Sequence, residues 1–165
     1  TPTPAPAPGT RWVKVVTPAS FWSLLAAVAT PAQATRQREA LLTPQNLLTP
    51  FAMPCVGASE ASFNPNHYWR GPVWTNVNWL AGIGFDCYGC AAQSELLRNQ
   101  TATLVAMHPT PREYYNPLNG SGLGAFNFMW TGAVDIITIA EQHGNTLVRD
   151  VLQASLPCPG RSAIL

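Results

Sequence analysis

The placement of proline restricts this chain more than any other feature of it. Sixteen of its 165 residues are Pro, and a proline inside a helix or a central strand removes a donor and clashes with the turn before it. Long regular elements therefore fit only between them. The opening TPTPAPAPGT favours extended polyproline II and sets off an N-terminal segment over 1–17. From Ser20 the run SFWSLLAAVAT predicts a short helix, with Ser20 as cap and Leu24, Leu25 and Val28 on one face. Pro31 restarts the chain at a first helical position, and AQATRQREALL continues as a more polar helix. The pair reads as an inner and an outer hairpin.

Pro44, Pro50, Pro54, Pro65 and Gly57 make 43–67 a long loop, of the kind that is usually functional or disordered. Pro72 then opens an apolar helix, PVWTNVNWLAGIGF, which Asn76, Asn78 and Trp79 set apart from a simple core helix. Residues 90–107 place Leu96, Leu97, Leu104 and Val105 among polar residues at amphipathic spacing and stop near His108, before Pro109 and Pro111. A second loop with Gly120, Gly122 and Gly124 leads into FMWTGAVDIITIAEQHG, a helix ending at Gly144. Only VDIITIA, being β-branched, could pass for a strand. No internal repeat appears. The expected class is all-α: helical hairpins whose long loops can converge on one rim.

Composition narrows the function. A formal charge of +1 with 10% charged residues gives no field for nucleic acid or an anionic membrane surface. No stretch approaches the roughly 20 consecutive apolar residues of a membrane span. The chain opens without the basic patch and apolar core of a secretion signal, and the sequence sets no localisation. Six Trp and four Tyr suggest flat apolar faces of the kind sugars bind. Cys87 and Cys90 form a lone C-x-x-C without zinc spacing, so they read as two buried thiols on one helical turn, and no metal or cofactor is expected.

Two concentrations of residues could carry chemistry. Glycosidic hydrolysis needs two carboxyl groups across the scissile bond. Glu39, Glu60, Glu95, Glu141 and Asp150 lie in polar segments and read as solvated. Glu113 sits instead in a Pro- and Gly-bounded loop beside Tyr114, Tyr115 and Asn116, where a surface ion pair with Arg112 or Arg70 is the competing reading. Asp135, unusual on an apolar helix, reads as paired to a neighbouring helix, the other reading being a second carboxylate that faces the site. The second concentration is HYWRGPVW. A pyranose stacks on Trp or Tyr while its hydroxyls take donors such as Arg70, Asn76 and Asn78, and Gly71 lets backbone approach a ligand. Trp74 fits binding and packing equally; Trp79 fits packing. His67 is a structural residue by default, and His108 and His143 stand at helix ends, where they can satisfy carbonyls.

NHYWRGPVWTNVNWLAGIGF, followed after a helix by REYYNPLNGSGLGAFNFMWTGAVDI, resembles glycoside hydrolase family 63 and its mannosylglycerate hydrolase-like relatives over about Ala19 to Val151. The resemblance implies an (α/α)6 barrel over 18–153, here about half of the toroid, with a tail at 154–165. It implies inverting hydrolysis of α-linked glucosides or mannosides. Glu113 then matches the general base, and Tyr68, Trp69, Arg70, Gly71, Trp74 and Tyr115 the substrate-binding residues. The family's acid, an upstream Asp, has no counterpart here. A closed barrel needs about twice the helices this chain has room for, so a half-toroid would expose an apolar flank. The expected partners are a carbohydrate substrate and the missing N-terminal half of the barrel. The alternative is a carbohydrate-binding helical domain without turnover.

Overall fold

The computed structural model describes residues 7–11 and 14–159; the rest of the Pro-rich opening (1–6, 12–13) and of the tail (160–165) lies outside the described residues. Helices α1 (Trp22–Leu25), α2 (Pro31–Leu41), α3 (Thr75–Cys87), α4 (Ala91–Ala106), α5 (Met129–Gln142) and α6 (Leu147–Ala154) carry the fold, with a hairpin of β1 (Arg112–Tyr115) and β2 (Gly122–Phe126) before α5. The architecture is a partial helical toroid. Among the described residues no helix is long and apolar enough to cross a membrane.

Helix α2 starts where proline and a capping box direct it. Thr30 accepts the Gln33 N–H while the Gln33 side chain accepts the Thr30 N–H, which satisfies two orphan donors at once. The helix expected from Ser20 is shorter. A 3-10 turn at Pro18–Phe21, entered from Thr17, passes into the single turn of α1, and the chain bends away with Ala27 at φ +53°. Phe21 and Leu24 are fully buried while Val28 is 73% exposed, and the chain returns to the core only at Ala29.

Helix α3 is the centre of the packing, lying against α1, α4 and α5. Phe21 meets Phe85 at 4.9 Å, and Leu47, Met53, Trp74, Ala81 and Leu97 complete the main core. A Cβ on Gly84 would fall 2.9 Å from the Leu25 nitrogen, so α1 can lie this close only against glycine. Asn78, read above as a sugar donor, is fully buried. Its side chain accepts the Met53 N–H at 2.8 Å and donates to the carbonyls of Met53 and Trp74 at 2.9 and 3.2 Å. It fastens the 43–67 loop to α3.

The hairpin replaces most of the loop expected over 109–127. Its register pairs Arg112 with Phe126, Tyr114 with Leu123 and Tyr115 with Gly122, and Val73 exchanges both backbone hydrogen bonds with Tyr115 at 2.8 and 3.0 Å. Thr131 donates to the Arg112 carbonyl at 2.7 Å and takes a bond from Thr75 at 3.2 Å. Helices α3 and α5 thus hold the hairpin's first strand in place.

The C-terminal helix α6 packs in reverse of the usual amphipathic sense. Leu147, Val148, Val151 and Leu152 are exposed, while Gln153 is buried and donates to Asp86 at 3.2 Å. Arg149 approaches Glu141 at 4.0 Å, and Arg98 lies 2.9 Å from Asp86 and 3.9 Å from Glu141. Glu141, read as solvated, has a side chain only 7% exposed, and burial raises its carboxyl above the usual range despite the two arginines.

The two thiols of the C-x-x-C do not share a turn. Cys87 ends α3 and forms a disulfide with Cys158, 71 residues away. Gly89, at φ +70°, turns the chain so that Cys90 caps α4 as a free thiol. Short sequence spacing hid a long-range pairing.

Candidate functional site

The segment 67–74 and the hairpin bring their aromatic residues together. Trp69 stacks on Trp74 with centroids 3.9 Å apart and planes 4° from parallel, and Tyr114 lies against Trp74 at 5.1 Å and 28°. Tyr68 stands nearly perpendicular to all three rings, at 5.9, 5.2 and 5.5 Å. Edge-to-face and offset arrangements of this kind are those that ring quadrupoles favour. Trp130, from the start of α5, adds a further ring 6.3 Å from Trp74.

Hydrogen bonds to a strained backbone position hold this wall in place. Tyr68 has φ +37°, a conformation that costs a non-glycine residue of order 1–3 kcal/mol. Its carbonyl accepts from the Trp74 indole N–H at 3.3 Å and from the Cys55 thiol at 3.7 Å, which offsets part of that cost. Burial pushes Cys55 up to about 11, so the thiol keeps the proton it donates.

Exposure decides which residues can meet a ligand. Tyr68 and Trp69 are each 46% exposed and Trp130 51%, whereas Trp74 is 2%. Trp74 is the layer beneath Trp69. Beside Trp69 opens a cavity of about 280 Å³, lined also by Trp22, Cys55, Val56, Val77 and residues 17–19. Glu113 is not among its lining residues.

Tyr115 departs from its expected role. It is fully buried, and its hydroxyl accepts the Arg112 N–H at 2.9 Å, so it belongs to the hairpin's core. Its neighbour Tyr114 is the tyrosine that joins the aromatic wall, because adjacent strand residues point to opposite faces. Burial, then the negative charge of Glu113, raise the Tyr114 hydroxyl above its ordinary range and keep it a donor. Gly71 also serves otherwise than expected. A Cβ there would lie 2.3 Å from the Asn64 carbonyl oxygen, so what approaches it is the chain's own loop. Arg70 is exposed and donates to the Ser62 carbonyl at 3.3 Å. His108 reaches the Gly120 carbonyl at 2.8 Å rather than its own helix end.

Glu113 lies at the irregular point of the hairpin. Its Oε2 accepts the Ala125 N–H at 3.1 Å. That oxygen and the Tyr114 ring edge both fall within 2.6 Å of the point a Cβ on Gly124 would occupy, so carboxylate and aromatic wall are neighbours. The competing ion pair is absent: among the described residues no salt bridge joins Glu113. Arg112 turns away, donating to the Gly124 carbonyl at 2.8 Å and lying 3.6 Å over the Phe126 ring.

Most of the other carboxylates lie away from the aromatic wall. Glu60 accepts the Val16 N–H at 2.8 Å, Glu39 pairs with Arg38, and Asp86, Glu95, Glu141 and Asp150 gather around α4, α5 and α6. Asp135 lines a groove between α4 and α5 with Ala102, Ala106 and Ile139. No ion pair joins it among the described residues, contrary to the pairing expected for it, and burial raises its carboxyl. No group of three or more metal-ligating side chains stands together among the described residues.

A family model for the mannosylglycerate hydrolase MGH1-like glycoside hydrolase domain matches residues 4–131. The chain is 42% identical over 84 residues to the mannosylglycerate hydrolase of Thermus thermophilus, covering 51% of this chain and 20% of that protein. It is 37% identical over 81 residues to the glucosylglycerate hydrolase of Mycolicibacterium hassiacum, covering 49% and 18%. The crystal structure of the GH63 mannosylglycerate hydrolase from Thermus thermophilus in complex with glucose superposes with a TM-score of 0.65 at 35% identity, over 73% of this chain and 30% of that one. The chain thus spans about a fifth of the length of these curated relatives.

Proposed function

Because the chain belongs to the family of mannosylglycerate hydrolase MGH1-like glycoside hydrolase domains, we propose that it carries the general base and the sugar-stacking wall of an inverting hydrolase. Its substrates are α-linked glucosides or mannosides, and the names of its relatives point to glycosides of glycerate. The observation that carries this reading is a carboxylate, free of any cation among the described residues, held at the edge of a partly exposed aromatic wall.

The chemistry follows from that arrangement. The apolar face of the pyranose lies on Trp69 or Tyr68, and the Tyr114 hydroxyl can donate to a sugar oxygen. Glu113 takes a proton from a water molecule, which attacks the anomeric carbon from the face opposite the leaving group. The leaving oxygen is protonated by a second carboxylic acid, roughly 6.5–9.5 Å from the base in inverting enzymes. The resemblance to the family puts that acid upstream of the matched segment, so in this reading the acid and the rest of the ring of helices lie outside these 165 residues.

Supplying the N-terminal part of a family member in trans and following sugar release from mannosylglycerate and glucosylglycerate tests the proposal. Turnover should appear with the parent chain and fall by about 10²–10⁴-fold with Glu113→Gln. Turnover untouched by that change refutes the role of Glu113. The exposed Tyr68, Trp69 and Trp130 rings also fit a second reading, a sugar-binding domain without hydrolysis. It predicts calorimetric binding that survives Glu113→Gln, vanishes with Trp69→Ala, and never gives turnover.

A further inference from the structure

The hairpin's irregularity lies opposite Glu113. Arg112 pairs with Phe126 and Tyr114 with Leu123, so the single residue Glu113 faces two, Gly124 and Ala125. Gly124 has φ +66°. A left-handed glycine followed by an extra residue is a β-bulge, which takes one residue out of the regular ladder and is a known device for re-aiming side chains beside active sites. Here the Ala125 amide donates to the Glu113 carboxylate.

Gly124 is constrained in two separate ways. Its backbone lies in the region only glycine and a few polar residues enter readily. Independently, a Cβ would stand 2.6 Å from Glu113 Oε2, 2.6 Å from Tyr114 Cε1 and 2.7 Å from Glu113 Cβ. Those atoms belong to the carboxylate, to the ring beside it and to the root of the glutamate side chain. The room a side chain would take is the room the carboxylate uses.

We infer that Gly124 and Ala125 are positioning residues for Glu113: the bulge is a cradle that holds the carboxylate against the aromatic wall through one backbone N–H and one missing Cβ. Its bearing on hydrolysis rests on the reading of Glu113 as the water-activating group; the cradle itself does not. The carboxylate keeps its second oxygen for water while the first is anchored. A catalytic group fixed by backbone reaches its productive geometry without a side-chain partner that must itself be ordered.

The test reads the Ala125 amide proton by NMR as pH is lowered through the carboxylate range. In the parent chain this amide follows the ionisation of Glu113, and Glu113→Gln abolishes the response. Gly124→Ala and Gly124→Asn should both abolish it, with the Asn116 amide, which donates across the hairpin to the Ser121 carbonyl at 2.8 Å, as the reporter that the hairpin is still formed. Asn tolerates the left-handed backbone yet carries a Cβ, so a response that returns in Gly124→Asn overturns the steric part of the inference. An Ala125 amide indifferent to Glu113→Gln in the parent background overturns the cradle altogether. Turnover in the complemented assay reports on the base role alone, so the two failures are separable.

Discussion

Replacing Cys158 with Ser should destabilise the protein strongly and chiefly through its unfolded state. The Cys87–Cys158 bridge closes a loop of 71 residues, and loop-closure entropy for that length corresponds to about 4 kcal/mol. Little in the folded state compensates for its loss, because α6 turns Arg149 and Gln153 inward and leaves Leu147, Val148, Val151 and Leu152 outside. The helix is held by the bridge and by polar contacts more than by buried apolar area. Urea denaturation of parent and Cys158→Ser proteins measures the difference. The variant should lose about 4 kcal/mol, with a larger dependence on denaturant because its unfolded chain is less compact. Hydrogen exchange over 147–159 should quicken before that of α3 and α4. Four titratable thiols in the parent protein, or an unchanged midpoint, would refute the reasoning.

Further consequences follow from buried polar groups. Asn78→Leu leaves the Met53 N–H and carbonyl without their side-chain partner, which at about 1–3 kcal/mol per unpaired group should cost roughly 2–5 kcal/mol in chemical denaturation. Asp135 has its carboxyl raised by burial, so its favourable contribution is complete below the unfolded value of 3.8 and is lost as pH rises through the higher folded one. Asp135→Asn should therefore stabilise the protein at pH 7 and flatten the fall in stability above pH 3.8 in a thermal titration; a variant less stable at pH 7 contradicts this.

Much of the helical framework is legible in the residues, because the signals that write it are local. Pro31 behind Thr30, the run 90–107 closed by Pro109, and the Gly144 stop each act within a turn or two of the helix they define. The hairpin is hidden in the sequence because two strands this short, one of them GLGAF, carry little alternation or β-propensity. On a strand, Tyr114 and Tyr115 face opposite ways, so a strand reading of REYY sends only one of them to the aromatic wall. Trp130 belongs to the wall too, although nothing in its own segment says which way it faces. Cys158, Gln153 and Arg149 act across the fold on α3 and α5, and no local spacing announces such partners. Glu113 stands out in the sequence as a lone carboxylate among tyrosines, whereas Gly124 gives no such signal, since what it offers in the proposed cradle is the space it leaves empty.

Chemical rescue puts the proposed role of Glu113 to its most direct trial. In the complemented assay Glu113→Ala should be nearly inactive on an α-glycoside. Added azide, small enough to enter the space left by the carboxylate and needing no base, should restore turnover and give the β-configured glycosyl azide. A Glu113→Ala protein as active as the parent, or one whose azide product keeps the α configuration, would contradict the assignment.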